Sequence, residues 1–377
     1  MNKPIRIFAE TVDGAALDQF YSAMKLDCAV QGALMPDAHA GYTLPIGAVV
    51  ATDGMIFPSF VGYDLGCGMS ALPVPVSVEA ARAAAQAIFD AILRLVPVGF
   101  SVNQKSRVPL TQTELDTSDL TAEARVIAES ADNRNWWRAR GSLGGGNHFI
   151  EVGADETGQV WVIIHSGSRG VGHGIAMHYM KLASPDGRPR EGLYGLRAES
   201  LAGQAYRNDL RWALQFALEN RLEMMYRVVR AIETVAGLSA ATDWRQLINR
   251  NHNHAELKDG RWIHRKGATH AETGMLGVIP GNMRDGSFIV RGKGNPESLC
   301  SSSHGAGRVL GRKQAAQTLK LGDFERTMRE AAVVARVDAG TLDESPFAYK
   351  DIFSVMAQQE DLVEVLHHVR PIINVKG

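Results

Sequence analysis

Apolar residues recur along this chain with two different periods. Within Glu191–Ala236, the longest stretch predicted to be helical, Leu210, Leu214, Leu218, Leu222 and Met225 recur at helical spacing while polar residues fill the other face, a stripe that reads as core packing. Ser77 is placed to cap a helix running to about Leu95, with Ala, Ile and Leu on one face, and further helices are predicted from near Thr121, Lys313 and Asp323. Shorter apolar runs predict strands at Val160–His165, which delivers a histidine at its end, and at Ser287–Arg291. Leu44–Thr52 and Met55–Phe57 flank Asp53-Gly54, a hairpin signal. Strands and helices mix without regular alternation, and no proline-rich or charged linker divides the chain. The pattern predicts an α+β fold: a single large domain over residues 1–377, with central sheets and an active site built from loops.

Composition narrows the class. The 377 residues are 45% hydrophobic and 21% charged, as in a globular protein with ample core. Formal net charge is −1, so any nucleic acid must be held by local patches rather than a global basic field. Cys28, Cys67 and Cys300 are too few and scattered for a disulfide framework. The N-terminus lacks a signal peptide's apolar core, and no apolar run is long enough to span a bilayer. The expectation is a cytoplasmic protein without a membrane partner.

The 38 glycines gather in motifs that also carry histidine, cysteine, acid or serine. Tyr63-Asp64-Leu65-Gly66-Cys67-Gly68 lets one tight loop aim a carboxylate and a thiolate at one ion, a mixed donor set suited to Mn, Fe, Co or Zn. Gly144-Gly145-Gly146-Asn147-His148 exposes backbone N–H groups beside a histidine, with Glu151 following. His165-Ser166-Gly167-Ser168-Arg169 carries a histidine out of a strand, and Asn251-His252-Asn253-His254 adds a third histidine element. Ligands so dispersed favour a catalytic centre assembled by the fold over a zinc finger. Asp37-Ala38-His39 can bind metal, orient a ligand or simply form a turn. His304, before Gly305-Ala306-Gly307-Arg308, is placed to act as a nucleophile on phosphorus, with metal ligation and a structural role as the alternatives.

Taken in order, these motifs resemble the RtcB family of RNA ligases. The matching elements are Pro36-Asp37-x-His39-x-Gly41-Tyr42 with Pro45-Ile46-Gly47, Asp64-Leu65-Gly66-Cys67-Gly68, Gly145-Gly146-Asn147-His148-Phe149-x-Glu151, His165-Ser166-Gly167-Ser168-Arg169-Gly170, His252-Asn253, His264-Arg265-Lys266-Gly267-Ala268, Pro280-Gly281-Asn282-Met283, His304-Gly305-Ala306-Gly307-Arg308 and the terminal Lys376-Gly377. The chain looks like a compact bacterial branch of the family, and it departs from the common Tyr-Gly-Phe at Tyr42-Thr43-Leu44.

The resemblance implies a GTP-dependent enzyme with two Mn²⁺ ions that joins an RNA 3′-phosphate or 2′,3′-cyclic phosphate to a 5′-hydroxyl through a histidine–GMP intermediate, in RNA repair or tRNA splicing. Cys67 would bridge the ions, with Asp64 and His148 on one and His165 and His252 on the other. His304 would carry GMP. Asn147, Glu151, Asn253, Pro280, Gly281, Asn282, Met283, Ser287, Gly305, Ala306, Gly307 and Lys376 would bind the guanylate. Arg169, Arg265, Lys266, Arg308 and Arg312 are candidates for RNA phosphate contacts, and a monomer is expected. The competing readings are a metal-dependent phosphoesterase that heals RNA ends without joining them, and an RNA-end binder without catalysis.

Overall fold

The computed structural model describes residues 3–104, 109–111, 115–130, 135–188, 192–237 and 242–377. Its centre is a mostly antiparallel sheet with the strand order Leu276–Pro280, Ser287–Gly292, Val363–Lys376, Phe149–Ala154, Val160–Ser166, Gly68–Val74, Ile248–Asn251. A second sheet runs Ile5–Ile7, Ala29–His39, Ile46–Thr52, Arg261–Lys266, Asn253–Lys258. Both helices and sheets are present and intermixed, as an α+β fold requires.

Strand alternation sorts the central sheet into two faces. Val160, Val162 and Ile164 pack with Leu72, Ile150, Met224 and Val228 against the long helix. Trp161 and Ile163 point the other way, with Met69, Ala71 and Phe149. Because successive side chains face opposite sides, His165 shares the second face, away from that helix.

The long helix is Leu201–Ala236, capped at its start by the Ser200 side chain and ended by Gly237 in the left-handed region. Residue 191, where the apolar pattern places its start, lies outside the described residues. The leucine stripe is only partly the buried face. Leu210 and Met225 are buried, whereas Leu214, Leu218 and Leu222 are half-buried. The buried face also includes Asp209, Asn220, Arg221, Glu223 and Arg227, polar residues that bond to surrounding loops. Hydropathy spacing cannot register polar side chains that are buried with partners.

Two further expectations change. The hairpin does not form: Ile46–Thr52 pairs with Ala29–His39 and Arg261–Lys266, while Met55–Ile56 pairs with Leu196–Arg197. Asp53-Gly54 still turns the chain, but the following strand is taken by a distant partner. Ser77 caps its helix as expected, yet the helix breaks at Ala84 into Val78–Ala83 and Ala85–Leu95. The cap at Thr121 and the strands at Val160 and Ser287 form as expected.

Arg221 ties the long helix to the sheet. Its fully buried guanidinium donates to the Gly66 carbonyl at 2.9 Å, the Ser166 carbonyl at 2.8 Å, and the Asn249 and Asn251 side chains at 2.7 Å each. Burial lowers its pKa to about 10, so it stays charged at neutral pH. An Arg221→Met variant is expected to lose on the order of 3–5 kcal/mol in denaturant unfolding, because each hydrogen bond to a charged donor contributes ~1.5–3 kcal/mol and the orphaned acceptors stay buried. Arg221→Lys is expected to recover little of this, since an ammonium cannot span four acceptors in one plane.

Candidate metal centre and nucleotide cavity

Four neighbouring strands end at the same place. Cys67 directly precedes Gly68–Val74, His148 directly precedes Phe149–Ala154, His252 directly follows Ile248–Asn251, and His165 is the penultimate residue of Val160–Ser166. Register aligns them: Phe149 and Met69 both lie opposite His165, and Gly68 lies opposite Asn251. The His252 N–H donates to the Cys67 carbonyl at 2.7 Å, closing the group.

The side chains converge. Cys67 Sγ lies 3.4 Å from His148 Nε2 and 3.2 Å from His165 Nε2. His165 Nε2 is 3.3 Å from His252 Nε2, and Asp64 Oδ2 is 2.9 Å from His148 Nε2. Two groups, Asp64/Cys67/His148 and Cys67/His165/His252, thus share the sulfur. Ligand atoms about 2.1–2.3 Å from a tetrahedral metal sit roughly 3.4–3.7 Å apart, close to these spacings.

The orientation of the rings also fits a cation. His148 Nδ1–H donates to the Leu143 carbonyl at 2.9 Å, and His165 Nδ1–H to the Asn147 carbonyl at 3.1 Å. Each bond turns an Nε2 lone pair toward the cluster, the usual backing of metal-bound histidines. Burial holds the pKa of His165 and His252 well below the usual value, so both rings are neutral. Burial pushes the Cys67 thiol up, and Asp64 adds to the shift. Burial works against ionisation of Asp64 too, but His148, Cys67 and the Arg169 charge together outweigh it and hold the carboxyl below its usual value. Gly167 is required beside this acid: a Cβ there would lie 2.2 Å from Asp64 Oδ1.

His252, not His254, joins the cluster. His254 stacks on His270 and accepts from Arg265 Nη1 at 3.1 Å. Although His254, Glu256 and His270 are close enough to hold an ion, the Arg265 guanidinium already contacts His254 and Glu256 and supplies the positive charge. Arg265 is fully buried, which overturns its assignment as an RNA contact. Lys266 is also buried and donates to the Ser59 carbonyl. Arg169 reaches inward to Ser142 Oγ and the Gly99 carbonyl.

His304 follows the strand Ser301–Ser303, which pairs with Ala268–His270. Its ring lies 4.8 Å from that of His252. Asp37 Oδ2 accepts from the His304 ring Nδ1–H at 2.6 Å and from its backbone N–H at 3.2 Å. This leaves His304 Nε2 with the lone pair. Gly307, at φ +76°, lies so close that a Cβ would meet the Asp37 carbonyl oxygen at 2.3 Å. Gly307 therefore lets the His-Gly-Ala-Gly turn close onto Asp37.

Beside His304 opens a cavity of ≈ 270 Å³. Asn147, Glu151, Pro280, Gly281, Asn282, Met283, Ser287, Gly305, Ala306, Gly307 and Lys376 all line it, together with His165 and His304. Asn253 stands apart. Its side chain accepts from the Gly267 N–H at 2.7 Å and donates to the Asp64 carbonyl at 3.2 Å, bracing both loops. Burial raises the Glu151 carboxyl to about 8, with Ser287 and Asn374 donating to it.

Sequence reasoning missed Asn374 and Tyr349 in the lining. Asn374 had a signal, since strand alternation puts it on the same face as Lys376. It also missed Asp37 as the partner of His304, and Glu344 altogether. Glu344 accepts from Lys376 at 2.6 Å, Arg308 at 3.0 Å, Arg312 at 2.7 Å and the Tyr349 hydroxyl at 2.6 Å. Arg308 and Arg312, expected to contact RNA, are thus committed to an internal carboxylate.

The family model described as "tRNA-splicing ligase RtcB" matches residues 19–377. The chain belongs to the RtcB family. It is 37% identical to the RNA-splicing ligase RtcB of Escherichia coli K12, over 100% of this chain and 98% of that protein. The RNA-splicing ligase RtcB of Mycobacterium tuberculosis is 30% identical over 91% of this chain and 96% of its own. The tRNA-splicing ligase RtcB of Thermococcus kodakarensis is 28% identical over 100% and 95%. Most of the motifs carrying the RtcB resemblance meet at the cluster and the cavity, whereas Arg265 and Lys266 of the His264–Ala268 motif bond elsewhere.

Glu344 gives a pH test. Burial alone would raise its carboxyl, but Lys376 and Arg312 hold it at about 2, against 4.5 for an ordinary glutamate. A depressed folded-state value contributes stability above the unfolded pKa and loses it as pH falls through the folded one. The stability gap between the protein and Glu344→Gln is expected to be on the order of 3 kcal/mol near neutrality. Measured by denaturant unfolding, it should shrink as pH drops from about 4.5 toward about 2.

Proposed function

We propose that the protein is a GTP- and manganese-dependent RNA ligase that joins 3′-phosphate or 2′,3′-cyclic phosphate ends to 5′-hydroxyl ends, in RNA repair or tRNA splicing in the cytoplasm. The observation that carries this is the junction of two ligand groups sharing Cys67 with a histidine that lines the adjoining cavity and whose Nδ1 is held by Asp37. Asp64 and His148 would hold one Mn²⁺, His165 and His252 the other, and Cys67 both. The bound ions would neutralise phosphate charge as Lewis acids.

The chain's own residues account for the rest. Asp37 fixes His304 in the tautomer that presents Nε2. GTP enters as a substrate, and His304 Nε2 forms a bond to its α-phosphorus as the bond to pyrophosphate breaks. The GMP then passes to the RNA 3′-phosphate, whose phosphorus the 5′-hydroxyl attacks, releasing GMP and forming the phosphodiester. Positioning dominates such a step, and His304 is held through both its ring and its backbone. Glu151, Ser287 and Lys376 supply the polar groups for guanine, and the Gly305–Gly307 turn supplies backbone donors for phosphate.

Radiolabelled GTP with Mn²⁺ is expected to label the protein through an acid-labile bond, and His304→Ala to abolish labelling. Labelling that survives this substitution removes His304 as the nucleophile. Calorimetry should find two Mn²⁺ per chain, with Cys67→Ala losing tight binding and labelling together. End processing without GTP and without joined product would instead support the phosphoesterase.

Glu151 sets a pH dependence. Guanine offers N–H donors, which an ionised carboxylate accepts best. With the free-state value at about 8, ionisation costs binding energy below that pH. GTP affinity should therefore rise as pH increases from about 6 to about 8 and then level off. Glu151→Gln should bind more weakly and without this dependence.

A further inference from the structure

The approach to the metal-ligand loop is bordered by aromatic rings that the chemistry above does not use. Tyr63 directly precedes Asp64, and its ring stacks on His173 with centroids 5.2 Å apart and planes 24° apart. Tyr42 stands nearly perpendicular to Tyr63, at 84° and 6.2 Å, so the two rings form an L-shaped corner. Tyr42 is 79% exposed, and His173 is also exposed.

This exposure is not that of a loose loop. The Gln19 amide donates to the carbonyls of Gly41 at 2.8 Å and Tyr42 at 3.1 Å, and accepts from the Gly41 N–H at 3.0 Å. The corner is also tied to two ligand segments. Tyr63 adjoins Asp64, and His173 lies on the helix Arg169–Ala183, which follows the His165–Ser168 turn. An anchored ring that buries so little of its surface contributes little to folding.

We propose that Tyr42, braced by Tyr63 and His173, is a stacking platform for the unpaired terminal nucleobase of an RNA end brought to the Asp64–Cys67 loop. The proposal rests on the RNA-ligase reading and deepens it. Tyr63 directly precedes Asp64, so the corner it forms with Tyr42 starts from the same loop that carries two of the ligands. Every base has a π face, so stacking holds ends of any sequence, as joining varied ends demands. Net charge is −1, and Arg265, Arg308 and Arg312 are engaged by internal carboxylates.

The test compares RNA ends that carry an ordinary terminal nucleotide with ends whose terminal nucleotide is abasic. Joining is measured with the full chain, GTP and Mn²⁺. Loss of the base is expected to raise the apparent KM for RNA roughly 5- to 150-fold, the size of one base–aromatic stack. Tyr42→Ala should cause the same loss on the ordinary end and none further on the abasic end. Tyr42→Phe should keep the preference for a base, and Tyr42→Leu should lose it. Equal KM for both ends in the unaltered protein, or an equal loss on both ends in Tyr42→Ala, overturns the platform and leaves a protein-docking role for the corner. Failure of the unaltered protein to join or bind either RNA would overturn the ligase reading itself, a distinct result.

Discussion

A single buried guanidinium organises the catalytic end of this protein. Arg221 reaches from the long helix to the carbonyls of Gly66 and Ser166 and to the side chains of Asn249 and Asn251. Gly66, Ser166 and Asn251 directly adjoin Cys67, His165 and His252, and Asn249 lies on the same strand as Asn251. Lone-pair groups crowded within 3.2–3.4 Å of each other repel without a cation between them, so the strand ends must be held by something else. Arg221 does this from behind while leaving every ligand atom free. Asn220, its neighbour, bonds to the Gly141 and Ser142 N–H groups and to the Gly167 carbonyl, holding the loops on either side. The long helix is thus a polar brace as well as a core element, which explains why so many of its buried residues are hydrophilic.

The cavity adjoins groups with opposite electrostatic demands. The ligand cluster holds neutral imidazoles, a thiol and Asp64, a donor set that gains from positive charge. Behind the lining, Glu344 pairs with Lys376, Arg308 and Arg312, of which Lys376 is buried and Arg312 keeps an exposed face. Lys376 Nζ also lies 5.2 Å from the Phe149 ring centroid, so its position is set by a carboxylate and an aromatic face together. Glu151, in the lining, sits in surroundings that resist its ionisation. In the proposed reaction this arrangement separates phosphate chemistry at the ligand cluster from base recognition at the Glu151–Lys376 side.

Much of the site was legible because its residues need special local chemistry. A cysteine between glycines, an acid three positions earlier, and histidines beside Asn, Ser and Gly have few purely structural explanations. The glycines could be interpreted for the same reason: at Gly167 and Gly307 no Cβ fits against Asp64 or Asp37. The arginines were less legible. Arg265, Arg308 and Arg312 sit in glycine-rich motifs that suggest phosphate contact, yet their partners, Glu256 and Glu344, lie in segments with no recognisable motif. A charged residue's exposure depends on what packs over it, and local sequence carries no record of that.

By itself the sequence determined the donor types, the helix caps at Ser77 and Thr121, and the strands that deliver His165 and Ser287, all consequences of local stereochemistry and alternation. Tertiary structure alone decided that Met55–Ile56 pairs with Leu196–Arg197 instead of folding back on its neighbour. It also separated His252 from His254 and joined Asp37 to His304 across most of the chain. The reason is register: a residue's place in a strand sets which face it occupies, but only pairing between distant strands sets which ends meet.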